Sequence, residues 1–198
     1  MRHGEELLRR VVRPVNLLLQ RSIICAFYFW ELILVPKKET SANRDASLRE
    51  HVLQLLSGGQ AHATFDKAVK SLPVALRGKR LKGAEHSPWE VLEHLRIAQW
   101  DILDFSRNPK YQHRPWPEGY WPAAPAPPDD KAWDKSVRAF RRDLKAISDL
   151  VANPATDLYA KIAHGSGQTI LREALLVADH NAYHLGELVL LRRLLGAW

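Results

Sequence analysis

The sequence predicts an all-α protein: a bundle of four principal helices with a long proline- and tryptophan-rich crossover loop between the second and the third. Three observations carry this. Apolar residues recur at three- and four-residue spacing in long segments, as in Val91, Leu92, Leu95, Ala98, Ile102, Phe105 and again in Trp133, Val137, Phe140, Leu144, Ile147, Val151. Helix start and stop signals bracket these segments. No window alternates apolar and polar residues as a half-buried strand would, and no internal repeat is present. The 198 residues suffice for one core and not for two enzyme domains.

Residues 1–46 read as a basic, apolar extension. Arg9, Arg10, Arg13 and Arg21 precede an apolar run from Ser22 to Val35 that contains Glu31. That run is shorter than the roughly 20 nearly uncharged residues a spanning helix needs, and no small-residue cleavage site follows it. Pro36 to Arg44 has linker composition, so the expected bundle domain is residues 47–198, and a chain starting near Ser41 is expected to keep the fold.

The first principal helix is expected at Ser47-Leu-Arg-Glu50, a capping-box pattern in which the serine accepts from the helix backbone and the glutamate reaches back. It should stop at Gly58-Gly59. A short helix should follow Thr64 and end before Pro73. Ser87-Pro-Trp-Glu90 opens the second principal helix more strongly, because Pro88 at the first helical position forfeits no hydrogen bond, and Asn108-Pro109 closes it. Seven of the twelve prolines then lie between Pro109 and Pro128 with Tyr111, Trp116, Tyr120 and Trp121. Such a segment is not expected to be helical, and its aromatics need apolar surface, so it should lie across the bundle as a lid. The third principal helix is expected after Asp129-Asp130 and should close at Asn153-Pro154. The fourth should run from about Thr169 to Leu195, closed by Gly196, with Arg192-Arg193 complementing the helix dipole.

Composition narrows function. Hydrophobic residues make up 46% and charged residues 26%, the balance of a folded chain. The net charge of +7 divides into +3 over residues 1–46 and +4 over 47–198, with no dense basic run interleaved with aromatics, which argues against a nucleic-acid partner. A single cysteine, Cys25, excludes a disulfide framework and cysteine-based zinc sites, and a reducing, cytoplasmic setting is the simplest expectation. A homodimer is compatible with apolar outer helix faces.

The histidines carry the chemical signal. His180 and His184, in Asp179-His-Asn-Ala-Tyr-His-Leu-Gly-Glu187, share a helix face, so both imidazoles can reach one metal ion. Glu187 and, two turns before His180, Glu173 extend the same face. Two histidines at this spacing can equally cap a core by hydrogen bonds. His94 falls among Val91, Ala98 and Ile102 on an inward face, and three core imidazoles are harder to satisfy without a metal. A zincin would need Glu where Asn181 stands. A ferritin-like site would need Glu where Val91 and Val177 stand. A nucleophile elbow and a phosphate-cradling loop are both missing. His62 and His164 read as surface histidines, Trp89 and Trp100 as packing, and Asp101 as either a ring-orienting group or a solvated one.

Ser87-Pro-Trp-Glu-Val-Leu-Glu-His94-Leu-Arg-Ile-Ala-Gln-Trp-Asp101 and Ala178-Asp-His-Asn-Ala-Tyr-His-Leu-Gly-Glu187 resemble the two metal-ligand helices of the DinB/YfiT-like superfamily. The resemblance covers about residues 47–198. It implies a four-helix bundle with one divalent ion held by His94, His180 and His184; zinc and nickel are the expected ions because both accept imidazole. It also implies activation of a thiol or water, with a low-molecular-weight thiol as cosubstrate in the S-transferase type; a hydrolase or a non-catalytic binding bundle are the alternatives. Glu187 or Glu173 is then the expected base or ligand-orienting group, and Trp116, Tyr120 and Trp121 the expected wall of the small-molecule site. Many relatives have Gln where this chain has Glu187, which leaves open whether that carboxylate is a ligand.

Overall fold

A computed structural model describes residues 40–198; the apolar run from Ser22 to Val35 and the rest of residues 1–39 lie outside the described residues. Among the described residues there are six α-helices: α1 Ser41–Ser57, α2 Phe65–Val69, α3 Val74–Arg77, α4 Pro88–Arg107, α5 Ala132–Ala152 and α6 Ile170–Leu194, with one 3-10 turn at Glu118–Tyr120. Among the described residues the only β pairing is an isolated bridge between Lys161 and Thr169. The four long helices form the expected all-α bundle.

α4 begins as its sequence dictates. The Ser87 hydroxyl accepts from the Glu90 amide, Glu90 accepts from the Ser87 amide, and Pro88 occupies the first turn. Its polar cap is buried, so Arg80 reaches over to pair with the Glu90 carboxylate. Thr64 caps α2 and Thr169 caps α6 in the same way. α1 departs from expectation. It starts at Ser41, six residues early, and Ser47 sits inside it with its hydroxyl facing His51 instead of capping anything. A serine three residues before a glutamate is a start signal only where the preceding backbone leaves the helix. Residues 41–46 continue it.

Two apolar clusters fill the bundle. One joins Trp89, Leu92 and Leu95 of α4 to Trp133, Val137 and Phe140 of α5 and Leu185, Leu188 and Leu191 of α6. The other joins Val52 and Leu56 of α1 to Leu103, Ile147, Val151, Ala174 and Val177. The order of these residues fixes direction: α4 and α5 run from the first cluster to the second, and α6 runs back. Two sequential parallel helices require the chain to return along the whole bundle. The crossover at residues 108–131 makes that return.

Buried arginines hold the ends. Arg49 donates to the carbonyls of Val151, Asn153 and Thr156, satisfying the open end of α5. Arg192 stands in the last turn of α6, where the dipole reading places it, but inside the fold. It is 6% exposed and donates to the carbonyls of Ala68, Lys70 and Ala197, tying α2 and the C-terminal turn to α6.

Candidate metal centre

The site lies where the two clusters meet, at the middle of α4 and α6. His94 is on α4 between Val91 and Leu95 of the first cluster and Leu103 of the second; His180 and His184 are on α6 between Val177 and Leu185. At the same level the buried Gln99 donates to the Phe140 carbonyl and accepts from Asn181, a polar tie joining α4 to α5 and α6. Each of the three histidines offers a ring nitrogen, and the three nitrogens lie within 4.8 Å of one another. His94 Nε2 and His180 Nε2 are 3.0 Å apart.

The outer ring nitrogens fix the tautomers. His94 Nδ1 lies 2.9 Å from the Tyr120 carbonyl, which can only accept, so Nδ1 carries the proton and Nε2 presents its lone pair inward. His184 Nδ1 donates in the same sense to Glu187 Oε2 at 2.9 Å. The other oxygen of Glu187 accepts from His86 Nδ1 at 3.2 Å. Trp121 lies flat between two imidazoles, stacking on His94 at 3.9 Å and on His86 at 3.8 Å between ring centroids.

Electrostatics keep the ligand nitrogens available. Burial pushes both His94 and His180 down to about 4, with the neighbouring imidazoles adding to the shift and hydrogen bonds opposing it. Both are therefore neutral at pH 7, the form that ligates. For Glu187 burial acts upward, but the hydrogen bonds from His184 and His86 outweigh it and hold the carboxyl below its ordinary value.

These residues fit a divalent cation. Tetrahedral zinc with ligands at about 2.0–2.1 Å sets neighbouring nitrogens about 3.3 Å apart, close to the His94–His180 spacing. Without a cation the two Nε2 atoms can face each other only by sharing one proton, whereas a cation would accept both lone pairs. A cation shared by the three inward nitrogens matches a donor set of neutral imidazoles.

A cavity of about 280 Å³ opens beside His94 and His180. Ala98, Ile102, Phe105 and Leu176 make its apolar walls, while Asp101, Tyr111, Tyr120, Arg172 and Glu173 contribute its polar groups. Buried Asp101 accepts from the hydroxyls of Tyr111 and Tyr120, at 3.0 and 2.8 Å, and burial beside that carboxylate raises both phenols. Glu173 is buried and paired with Arg172 at 2.8 Å.

The expected site residues are thus distributed. Tyr120 and Trp121 pack on the histidine cluster, whereas Trp116 lines the cavity mouth and is 73% exposed. Glu187 bonds the ring of His184, and Glu173 lies at the cavity wall. His62 and His164 are exposed, bonded to the carbonyls of Ala63 and Phe105. Sequence reasoning missed His86, which carries no spacing relation to the other histidines, and left Asp101 open. The one available signal for His86 was its place immediately before the Ser87 cap, at the end of α4 nearest the site.

An all-helical bundle with three inward imidazoles on two facing helices is an arrangement that could hold a metal ion through nitrogen. The chain belongs to the DinB superfamily, whose family model matches residues 57–188 and so spans both histidine-bearing helices. No curated protein and no solved structure matches it.

Proposed function

We propose that His94, His180 and His184 bind one divalent ion, zinc or nickel, and that the chain is a metal-dependent enzyme acting through a thiol or water nucleophile, with S-transfer from a low-molecular-weight thiol as the leading reaction. The observation that carries this reading is the convergence of three neutral imidazoles beside an apolar cavity. A bound divalent ion supplies positive charge that lowers the pKa of a neighbouring thiol or water.

The chain's own groups have separable tasks. Tyr120 and Glu187 accept the outer ring protons of His94 and His184, which raises ligand basicity and fixes ring orientation. One oxygen of Glu187 is held by the ring of His184 and the other by that of His86, so Glu187 acts as a positioning group. Glu173, at the cavity wall, is the proton acceptor in this reading. Ile102, Phe105 and Leu176 exclude water from the body of the substrate, and Trp116 stands at the entrance.

Protein purified without a histidine tag should carry about one divalent ion per chain, and replacing any one of the three histidines by Ala should lower metal affinity at least about tenfold. Elemental analysis and chelator competition measure both. Full occupancy in the triple variant would end the metal reading. Turnover with a panel of thiol and electrophile pairs tests the enzyme reading separately: metal-loaded protein inert towards every pair, and towards hydrolysable esters and amides, is a binding bundle.

A further inference from the structure

Among the described residues the outward face of α6 carries an exposed apolar stripe. Leu175, Tyr183, Leu190 and Leu194 are between 43% and 74% exposed. With Asp179, Gly186 and Arg193, also exposed, they recur every three or four residues and form one continuous stripe along the helix. Gly186 lies near its middle. Glycine is the poorest helix former after proline, and a Cβ built there meets nothing within 4 Å. No contact inside the described chain requires a glycine. A second backbone approaching this face would.

The stripe is self-complementary in one direction only. Asp179 and Arg193 stand seven residues to either side of Gly186, and neither forms an ion pair among the described residues. Arg193 lies over the Trp198 ring at 5.7 Å, which leaves its charge without an acid. A two-fold axis through Gly186, perpendicular to the helix, brings Asp179 of one copy to Arg193 of the other, twice. It also sets Tyr183 opposite Leu190. A parallel arrangement would place Asp179 on Asp179 and Arg193 on Arg193. Both charged residues lie about 10 Å along the axis from the crossing point, so both pairs close only at the shallow crossing of about 20° at which side chains interdigitate over several turns. Gly186 then sits at the closest approach of the two helices.

We propose that α6 is a homodimer interface in which two copies pack antiparallel about Gly186, with Asp179 and Arg193 as reciprocal ion pairs. The interface is isologous. The stripe runs beside the ligand-bearing face of α6, with the Tyr183 ring edge-on to that of His184 at 4.8 Å, but it includes none of the three histidines, so the interface does not depend on the metal reading.

The test is charge reversal on the full chain, followed by analytical ultracentrifugation across a concentration series around about 10 µM. Wild type should show a reversible monomer–dimer equilibrium. Asp179→Arg alone and Arg193→Asp alone each set like charges together twice and should weaken association at least about tenfold. The double variant restores opposite charges and should return to within about threefold of wild type. Leu175→Glu, one turn before Asp179 in the apolar part of the stripe, and Tyr183→Glu, near its centre, should each also weaken association. Circular dichroism melts identify any variant that has lost its fold, in which case the remaining variants decide. A wild-type chain that stays monomeric overturns the proposal. So does a dimer indifferent to Leu175→Glu, to Tyr183→Glu and to both reversals, which assigns association to another surface or to residues 1–39, and so does failure of a folded double variant to recover.

Discussion

His94 and His180 show how burial decides chemistry one residue at a time. Each would titrate near 6.5 in an unfolded chain, and burial pushes each down to about 4 in the fold. Between those values the unfolded metal-free chain binds more protons than the folded one, so the stability of metal-free protein rises with pH across this interval. The contribution is fully present above about 6.5 and is lost as pH falls towards about 4. Glu187, held below its ordinary value, acts in the same direction, its share being lost in acid as its carboxyl protonates. Thermal melts of chelator-treated protein should therefore show a midpoint that falls steadily from pH 7 to pH 5, with a much weaker dependence when all three histidines are replaced by Ala. An unchanged slope in the triple variant would place the pH-sensitive groups elsewhere. The three histidines were legible because helical spacing and an apolar face reveal inward side chains. His86 was not, since a residue in a loop has no periodicity to betray its direction, and the roles of Glu187 and Asp101 depend on partners from distant elements.

At the scale of elements, the crossover shows what sequence can and cannot specify. Proline content excluded a long helix, and its aromatics required a surface to cover; the single 3-10 turn at Glu118–Tyr120 is the one helical departure. Its path follows from topology, because α4 and α5 are parallel and the chain must return along α4. It is fastened residue by residue: Tyr111 and Tyr120 to Asp101, the Tyr120 carbonyl to His94, Trp121 to His94 and His86, and the Pro125 carbonyl to the Ser87 hydroxyl. Gly78 permits the last contact zone, since a Cβ there would lie 2.4 Å from that of Ala126. The two tryptophans should then behave differently. Trp116→Ala removes an exposed ring at the cavity mouth, so it should leave metal affinity and stability unchanged and alter only the binding of small thiols. Trp121→Ala removes the plate between His86 and His94 and should weaken the metal about tenfold or more, as loss of ligand support does. Parallel chelator competition and thiol titration separate the two. Equal effects of both substitutions on metal affinity would contradict this division. The missed start of α1 has the same origin as the missed role of His86: Ser47-x-x-Glu50 is a local signal, and whether it caps a helix depends on the backbone before it.

For the whole molecule, the site joins two helices that are held together elsewhere mainly by apolar contact. One ligand comes from α4 and two from α6, which run in opposite directions between the same clusters. An ion bound there closes the bundle across its middle, where Gln99 and Asn181 already interrupt the apolar core. The unfolded chain cannot hold three imidazoles in this arrangement, so metal binding adds directly to the free energy of folding. At free metal about a thousandfold above the dissociation constant the gain is about 4 kcal/mol. With about 2–4 °C per kcal/mol for a domain of this size, saturation should raise the melting midpoint by about 8–16 °C. Adding zinc or nickel to chelator-treated protein at pH 7.5 and following unfolding by circular dichroism measures this. The shift should be lost in the triple His→Ala variant, and it should shrink as pH falls towards 5, where protons compete for the ligand nitrogens. An equal shift in the triple variant would mean that the stabilising ion binds outside the three histidines, and the bundle would then owe its stability to the apolar clusters and buried arginines alone.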